Sequence, residues 1–246
     1  MGFSPDEVER YARHLVMSEI GGPGQQRLAR ATVAVIGAGG VGGPAALYLA
    51  AAGVGTIRII DPDTVSLSNL QRQILFDTAD VGRPKVEVAG ARLTALNPHV
   101  AIEPVAEGLT PANAAALLAG ANVVLDGTDD FAVRHAVNAA CVAADIPLVS
   151  GALGRWSGQV GVFTGRPCYR CLVPDLPPDA ETCARVGVVG ALAGVIGAMA
   201  ALEAIKLITG AGEPLIARLL LYDGLSATSR TVAVTADPGC PVCRTA

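Results

Sequence analysis

The stretch Thr32-Val33-Ala34-Val35-Ile36-Gly37-Ala38-Gly39-Gly40-Val41-Gly42 decides the fold. Its apolar first half suits a strand buried on both faces, and the residues after Ile36 match G-x-G-x-x-G at a strand-to-helix turn. Glycines there permit a tight turn and let backbone amides approach a phosphate at a helix N-terminus. A helix over 44–52 leads to Gly53 and a second strand, Thr56-Ile57-Arg58-Ile59-Ile60, which stops at Asp61. That is a βαβ unit, with Asp61 where an acidic side chain grips ribose hydroxyls. Taken alone, it suits an NAD enzyme, another nucleotide-binding protein, or a glycine-rich turn without a ligand.

Outward from this unit, residues 4–17 and 24–30 carry apolar residues at helical spacing and predict a helical arm before the first strand. Downstream, the pattern predicts a helix at 83–96 ended by Asn97-Pro98, a strand at 100–105, a helix at 111–119, a strand at 123–125 and a helix at 130–144. The alternation ends near Ser150. Beyond it, strands at 158–163, 217–222 and 228–234 flank one long helix at 188–208, which predicts antiparallel strands added to the same sheet. The expected fold is α/β, a Rossmann-like three-layer arrangement with a mixed, mainly parallel central sheet, an N-terminal helical arm and a C-terminal antiparallel extension. One domain spans 1–246, divided into the arm (1–30), a nucleotide-binding half (31–150) and a second half (151–246). The proline-rich stretch 172–186 reads as a polar loop.

Of 246 residues, 51% are hydrophobic and 16% charged, which predicts a tightly packed interior. The net charge of −4 argues against a nucleic-acid surface, which needs clustered Lys and Arg to displace counterions. The uncharged run 186–202 is short, rich in Gly and Ala, and continues into Glu203 and Lys206, so a buried helix is expected and not a membrane span. Residues 1–7 have neither a basic leader nor an apolar core, so a cytoplasmic protein is expected.

The next block separates the ligand readings. From Asp61 the chain runs Asp61-Pro62-Asp63-Thr64-Val65-Ser66-Leu67-Ser68-Asn69-Leu70-Gln71-Arg72-Gln73, then Gly82-Arg83-Pro84-Lys85, and later Asp126-Gly127-Thr128-Asp129-Asp130. Arg72 and Lys85 lie within reach of a polyphosphate that begins at the glycine loop. An NAD pyrophosphate needs no two further cations, whereas ATP carries more charge and its leaving pyrophosphate must be stabilised. Asp129, beyond the carboxyl end of a strand, suits Mg²⁺, and Asp130 can cap the following helix. Two C-x-x-C knuckles, Cys168/Cys171 and Cys240/Cys243, predict four thiolates around a structural zinc that clips the tail to the body. Cys141, within an Ala-rich helical face, reads as a core residue.

In these motifs the chain resembles the MoeB/ThiF/HesA family, bacterial relatives of ubiquitin-activating enzymes, whose pattern D-x-D-x-V-x-x-S-N-L-x-R-Q, G-x-x-K and D-x-x-D is carried here by residues 61–73, 82–85 and 126–129. The resemblance covers essentially the whole chain and implies ATP-dependent adenylation of the C-terminal carboxylate of a ubiquitin-like sulfur carrier ending in Gly-Gly. It implies nucleotide contacts from Gly37, Gly39, Gly40, Gly42, Asp61, Asp63, Asn69, Arg72, Gln73 and Lys85, a magnesium-associated Asp129, a homodimer, and Arg13 reaching the phosphates from the other subunit. Ala193, where a proline is common, and Met17-Ser18, in place of leucine-proline, depart from the pattern. With no rhodanese segment before Ala246, a separate sulfur donor is expected, a cysteine desulfurase or a rhodanese. Cys183 has two readings: a thiol used in sulfur transfer or thioester formation, or an incidental loop thiol. The competing functions are an NAD-dependent oxidoreductase and a catalytically idle nucleotide-binding scaffold. The first lacks a His or Tyr-Lys arrangement for hydride chemistry, with only His14, His99 and His135 present.

Overall fold

A computed structural model describes residues 2–175 and 187–244. One eight-stranded sheet runs through it. In chain order the strands are β1 (Thr32–Ile36), β2 (Thr56–Ile60), β3 (Ala101–Val105), β4 (Val123–Asp126), β5 (Leu148–Gly154), β6 (Ser157–Phe163), β7 (Arg218–Asp223) and β8 (Thr228–Ala233). Their spatial order is β3-β2-β1-β4-β5-β6-β7-β8; the first five are parallel and the rest antiparallel, as expected from the change in pattern after residue 150. The alternation was expected to end near Ser150, but β5 continues to Gly154 because it pairs along its whole length with β6. Pro104 lies in the edge strand β3, where a missing ladder donor costs nothing, and the opposite edge β8 is fully exposed.

Side chains of alternate strand residues feed two cores, because a strand's faces repeat every second residue. Val33, Val35, Ile57, Ile59, Val123 and Leu125 face one layer of helices: α3 (Gly21–Arg30), α4 (Gly42–Ala51), α5 (Lys85–Leu96) and α9 (Gly190–Thr209). Ala34, Ile36, Ile60 and Val124 face the other: α6 (Ala114–Leu118), α7 (Phe131–Ala144) and the short α8 (Tyr169–Leu172). Cys141 of α7 lies in this second core, and burial pushes its thiol up to about 12, so it is an inert packing residue as expected. Helix α9 is apolar enough to span a bilayer by length alone, yet Ile196, Ala200 and Ala204 are fully buried against α4 and the sheet.

The helical arm differs from one continuous segment over 4–17. It breaks into α1 (Pro5–Arg10) and α2 (Ala12–Leu15) at Tyr11, whose side chain is buried and accepts a hydrogen bond from Asn97 Nδ2 at 2.9 Å. Docking that ring on the body outweighs continuity of the helix. Ser4 and Glu7 form a reciprocal capping box at the start of α1. Helix α6 is shorter than the expected 111–119 because Asn113 Oδ1 accepts the Thr110 amide and folds 110–113 into a turn.

Candidate active site

Register places Ile36 beside Ile60 on one side and Asp126 on the other, so β1, β2 and β4 end at one level. The chain leaves β1 toward β2 and β4 lies on β1's other side, which makes this the crevice where strand order reverses and ligands of open α/β sheets bind. A cavity of about 780 Å³ opens there, lined by residues from all three loops.

The floor is the glycine loop. Gly37 takes φ +86° and its amide bonds Ile60 O at 2.8 Å, turning the chain sharply after β1. Helix α4 begins at Gly42, two residues ahead of the expected 44, and a β-carbon at Gly42 would sit 1.8 Å from Gly37 O. The helix N-terminus is therefore pressed onto the loop, at the end of a helix where free amides favour an anion.

Asp61 is 5% exposed and ties the floor to the next wall. Its Oδ2 accepts the Ala38 amide at 2.7 Å and its Oδ1 accepts the Asp63 amide at 2.8 Å. Burial raises its carboxyl above the ordinary range, opposed by nearby Lys85 and by these two amides. Lys85 opens α5, is itself 4% exposed, and places Nζ 2.8 Å from Asp63 Oδ2. Arg72 donates from Nη1 to Ser68 O at 3.1 Å, and the Asn69 carbonyl accepts the amides of Arg72 and Gln73 in a tight turn. Gln73 is 5% exposed, and its Oε1 has no protein partner among the described residues. A buried acceptor left open on a cavity wall is suited to a donor from a bound ligand.

Opposite, Asp126 ends β4 and its Oδ1 accepts both the amide and the hydroxyl of Thr128, at 2.9 and 2.8 Å. Asp129 is exposed at the cavity wall, without a side-chain hydrogen bond among the described residues. Asp130 caps α7, accepting the amides of Ala132 and Val133 at 2.7 and 3.1 Å. Asp130 thus caps the helix, as the sequence suggested, and Asp129 is left without a side-chain bond among the described residues.

Gly37, Gly39, Gly40, Asp61, Asp63, Asn69, Arg72, Gln73, Lys85 and Asp129 all line this one cavity. Gly42, also expected to contact the nucleotide, does not line it and instead packs against Gly37 O. Arg13 is exposed on α2 and does not line it. Cys183 and most of the 172–186 loop lie outside the described residues. None of the three histidines contributes to the wall. Sequence reasoning missed Arg134, a buried cation on the wall. The available signal was its place in the first turns of α7, where the helix dipole disfavours positive charge.

The sulfurs of Cys168, Cys171, Cys240 and Cys243 lie within 4.8 Å of one another. Cys168 and Cys240 are 3.7 Å apart, Cys171 and Cys243 3.4 Å. A tetrahedral ion with metal–sulfur bonds near 2.3 Å holds its sulfurs about 3.8 Å apart, so the cluster suits such a metal. Asn138 Nδ2 points to Cys168 Sγ at 3.5 Å, the outer-shell donor that a thiolate ligand favours.

Comparison with known proteins agrees with this geometry. The molybdopterin-synthase adenylyltransferase of Escherichia coli K12 is 47% identical over 243 residues, covering 98% of each chain. The sulfur carrier protein ThiS adenylyltransferase of the same organism is also 47% identical, over 95% of this chain and 94% of its own. Among solved structures, E. coli MccB with ATP superposes with a TM-score of 0.75 at 26% identity, over 90% of this chain and 69% of that one. The ThiF family model matches residues 11–242, and the chain belongs to that family.

Proposed function

We propose that the protein adenylates the C-terminal Gly-Gly carboxylate of a ubiquitin-like sulfur carrier, using ATP and releasing pyrophosphate. The observation that carries this is the meeting of two cations, Arg72 and Lys85, with the glycine-loop amides and the free Asp129 around one cavity of about 780 Å³. That arrangement suits a triphosphate whose α-phosphate is attacked. Close full-length relatives are named as adenylyltransferases of such carriers, and two with equal identity act by name in different systems, molybdopterin synthase and ThiS, so either type of carrier fits this chain.

In this reading the ribose lies near Asp61 and the phosphates run over Gly39 and Gly40 toward Arg72 and Lys85. A carboxylate oxygen of the carrier forms a bond to the α-phosphorus while the bond to the bridging oxygen of the β-phosphate breaks, giving an acyl adenylate and pyrophosphate. The attacking carboxylate is ionised at neutral pH, so the step rests on positioning and charge neutralisation without a general base. Asp129 would hold Mg²⁺, which would supply part of that neutralisation. The acyl adenylate is then open to sulfur from a separate donor.

A second depression of about 770 Å³ on the face of β5–β8 shares Ala152, Leu153 and Gln159 with the nucleotide cavity. This continuity supports a route for the carrier's tail along the antiparallel half, residues 151–246, which this reading assigns to carrier binding. Arg13, exposed on the arm and absent from the lining of its own cavity, and the exposed apolar Tyr48, Leu67 and Leu202 support a homodimer in which the arm completes the partner's site. The four-cysteine cluster is assigned to structural Zn²⁺, and its reduced thiols suit a cytoplasmic protein.

The test is carrier-dependent ATP–pyrophosphate exchange with purified Gly-Gly carriers, each compared with a carrier lacking its last glycine. Exchange that requires the intact tail is expected. Absence of exchange with every carrier, together with no affinity for Mg·ATP, removes the proposal; tight NAD binding favours an oxidoreductase, and ATP binding without exchange an idle scaffold.

A further inference from the structure

Arg134 is only 3% exposed, yet no carboxylate among the described residues lies within ion-pair distance of its guanidinium. A buried cation of this kind costs desolvation, and here dipoles offset it. Nη1 donates to Ser150 Oγ at 2.9 Å and Nη2 to Gly151 O at 2.7 Å, both on β5. Nη2 also donates to the carbonyl of Thr128. The guanidinium carbon lies 5.9 Å from the centre of the Tyr169 ring, close enough for a cation–π contact.

Thr128 is consequently held from two sides: Asp126 takes its amide and hydroxyl, and Arg134 takes its carbonyl. The next residue is Asp129, which has no side-chain anchor of its own among the described residues. Its position is set by the backbone on which it stands. The other end of the chain of contacts reaches the cysteine knuckle. Tyr169 follows Cys168, its amide donates to Asn138 Oδ1 at 2.8 Å, and Asn138 Nδ2 reaches Cys168 Sγ. Arg134 and Asn138 are four residues apart on α7 and so share a helix face.

Resting on the adenylation reading, we propose that Arg134 is a positioning residue. It fixes the Thr128–Asp129 backbone where the magnesium nucleotide binds, and it braces that loop against Tyr169 of the metal knuckle. It adds a positive charge at the cavity wall, without an ion-pair partner among the described residues, which favours a polyanion there.

The experiment compares wild type with Arg134→Ala, Arg134→Lys and Ser150→Ala. Arg134→Ala is expected to lower kcat for exchange about 100-fold, the effect of displacing a positioned group by about 1 Å. The thermal stabilisation by ATP in wild type is expected to exceed with magnesium that seen with EDTA. Arg134→Ala should lose that magnesium-dependent part and keep the rest, with zinc content unchanged. Free guanidinium at millimolar concentration should restore exchange in this variant. Arg134→Lys should recover little, since one ammonium cannot match the planar fork on three acceptors. Should Arg134→Ala not fold, Ser150→Ala keeps the cation and removes one bond; it is expected to lower kcat about threefold to tenfold and to weaken the magnesium-dependent shift. Wild-type magnesium dependence and kcat in Ser150→Ala and in every Arg134 variant that folds overturns the proposal, as does lost activity that follows lost folded protein without guanidinium rescue. If wild type itself shows no exchange, it is the adenylation reading that fails.

Discussion

Lys85 Nζ lies 2.8 Å from Asp63 Oδ2 and 4.0 Å from Asp61 Oδ2, so the buried cation is held by carboxylates of the loop preceding its own helix. The two carboxylates differ in surroundings. Asp63 has 65% of its side chain exposed, where an ion pair contributes at most about 1 kcal/mol. Asp61 is buried and holds two loop amides. Asp61→Ala should therefore cost about 1–3 kcal/mol in denaturant unfolding and at least about tenfold in ATP affinity. Asp63→Ala should cost under about 1 kcal/mol. Equal losses in both variants contradict this division.

Asp129 and Asp130 are neighbours with separable effects. Asp129→Ala should leave stability within about 0.5 kcal/mol of wild type and reduce carrier-dependent exchange at least about 100-fold. Asp130→Ala removes two bonds to the first amides of α7 and should cost about 1 kcal/mol of stability. Normal exchange by Asp129→Ala would remove its assigned role.

The glycines of the loop divide in the same way. A β-carbon at Gly42 meets Gly37 O at 1.8 Å, so Gly42→Ala should fail to give soluble protein. At Gly39 the nearest atom to an added β-carbon is Gln73 Nε2 at 3.4 Å, an ordinary contact. Gly39→Ala should fold with a near-normal melting temperature and lose ATP affinity, because the methyl stands between the loop amides and a phosphate. Calorimetry with Mg·ATP checks it.

Acid stability should depend on Asp80. The Asp77 amide, helped by Arg92 and Arg83 and opposed by burial, holds its carboxyl below the ordinary range. The unfolded chain thus binds this proton more readily than the folded one, so the contribution is present above the ordinary value of about 3.9 and is lost as pH falls through the lower, folded value. Asp80→Asn should cost about 1–2 kcal/mol at pH 7 and flatten the decline below pH 4. An unchanged acid limb in urea titrations argues against this.

Metal removal should loosen the C-terminal tail. Roughly one zinc per chain is expected, and a strong chelator should release it and lower the melting temperature. Cys243→Ser should do the same without chelator. A wild-type melting temperature in fully stripped protein would reassign the cluster.

Much of this was legible because local chemistry repeats with fixed periods. The β-branched runs 32–36 and 56–60, the glycines between them and the Asn97-Pro98 stop identify strands, turn and helix end without any knowledge of neighbours. The spacing of the two C-x-x-C knuckles likewise foreshadowed the cluster that brings Cys168 to Cys240. Less legible were the ends of α4 and α6, set by the packing of Gly42 on Gly37 and by the Asn113–Thr110 turn, and the break in the arm, where the contact of Tyr11 with Asn97 overrides helical preference.

By itself, the sequence determined the succession of elements, the residue types offered to a polyphosphate and the two C-x-x-C knuckles, since each depends on neighbours along the chain. Only the tertiary structure decided that Asp61 clamps the glycine loop and that Arg134 ties the Thr128–Asp129 backbone to β5 and to Tyr169. Those assignments turn on which donors meet which acceptors across the sheet, and parallel strands set that meeting through register between segments separated by tens of residues.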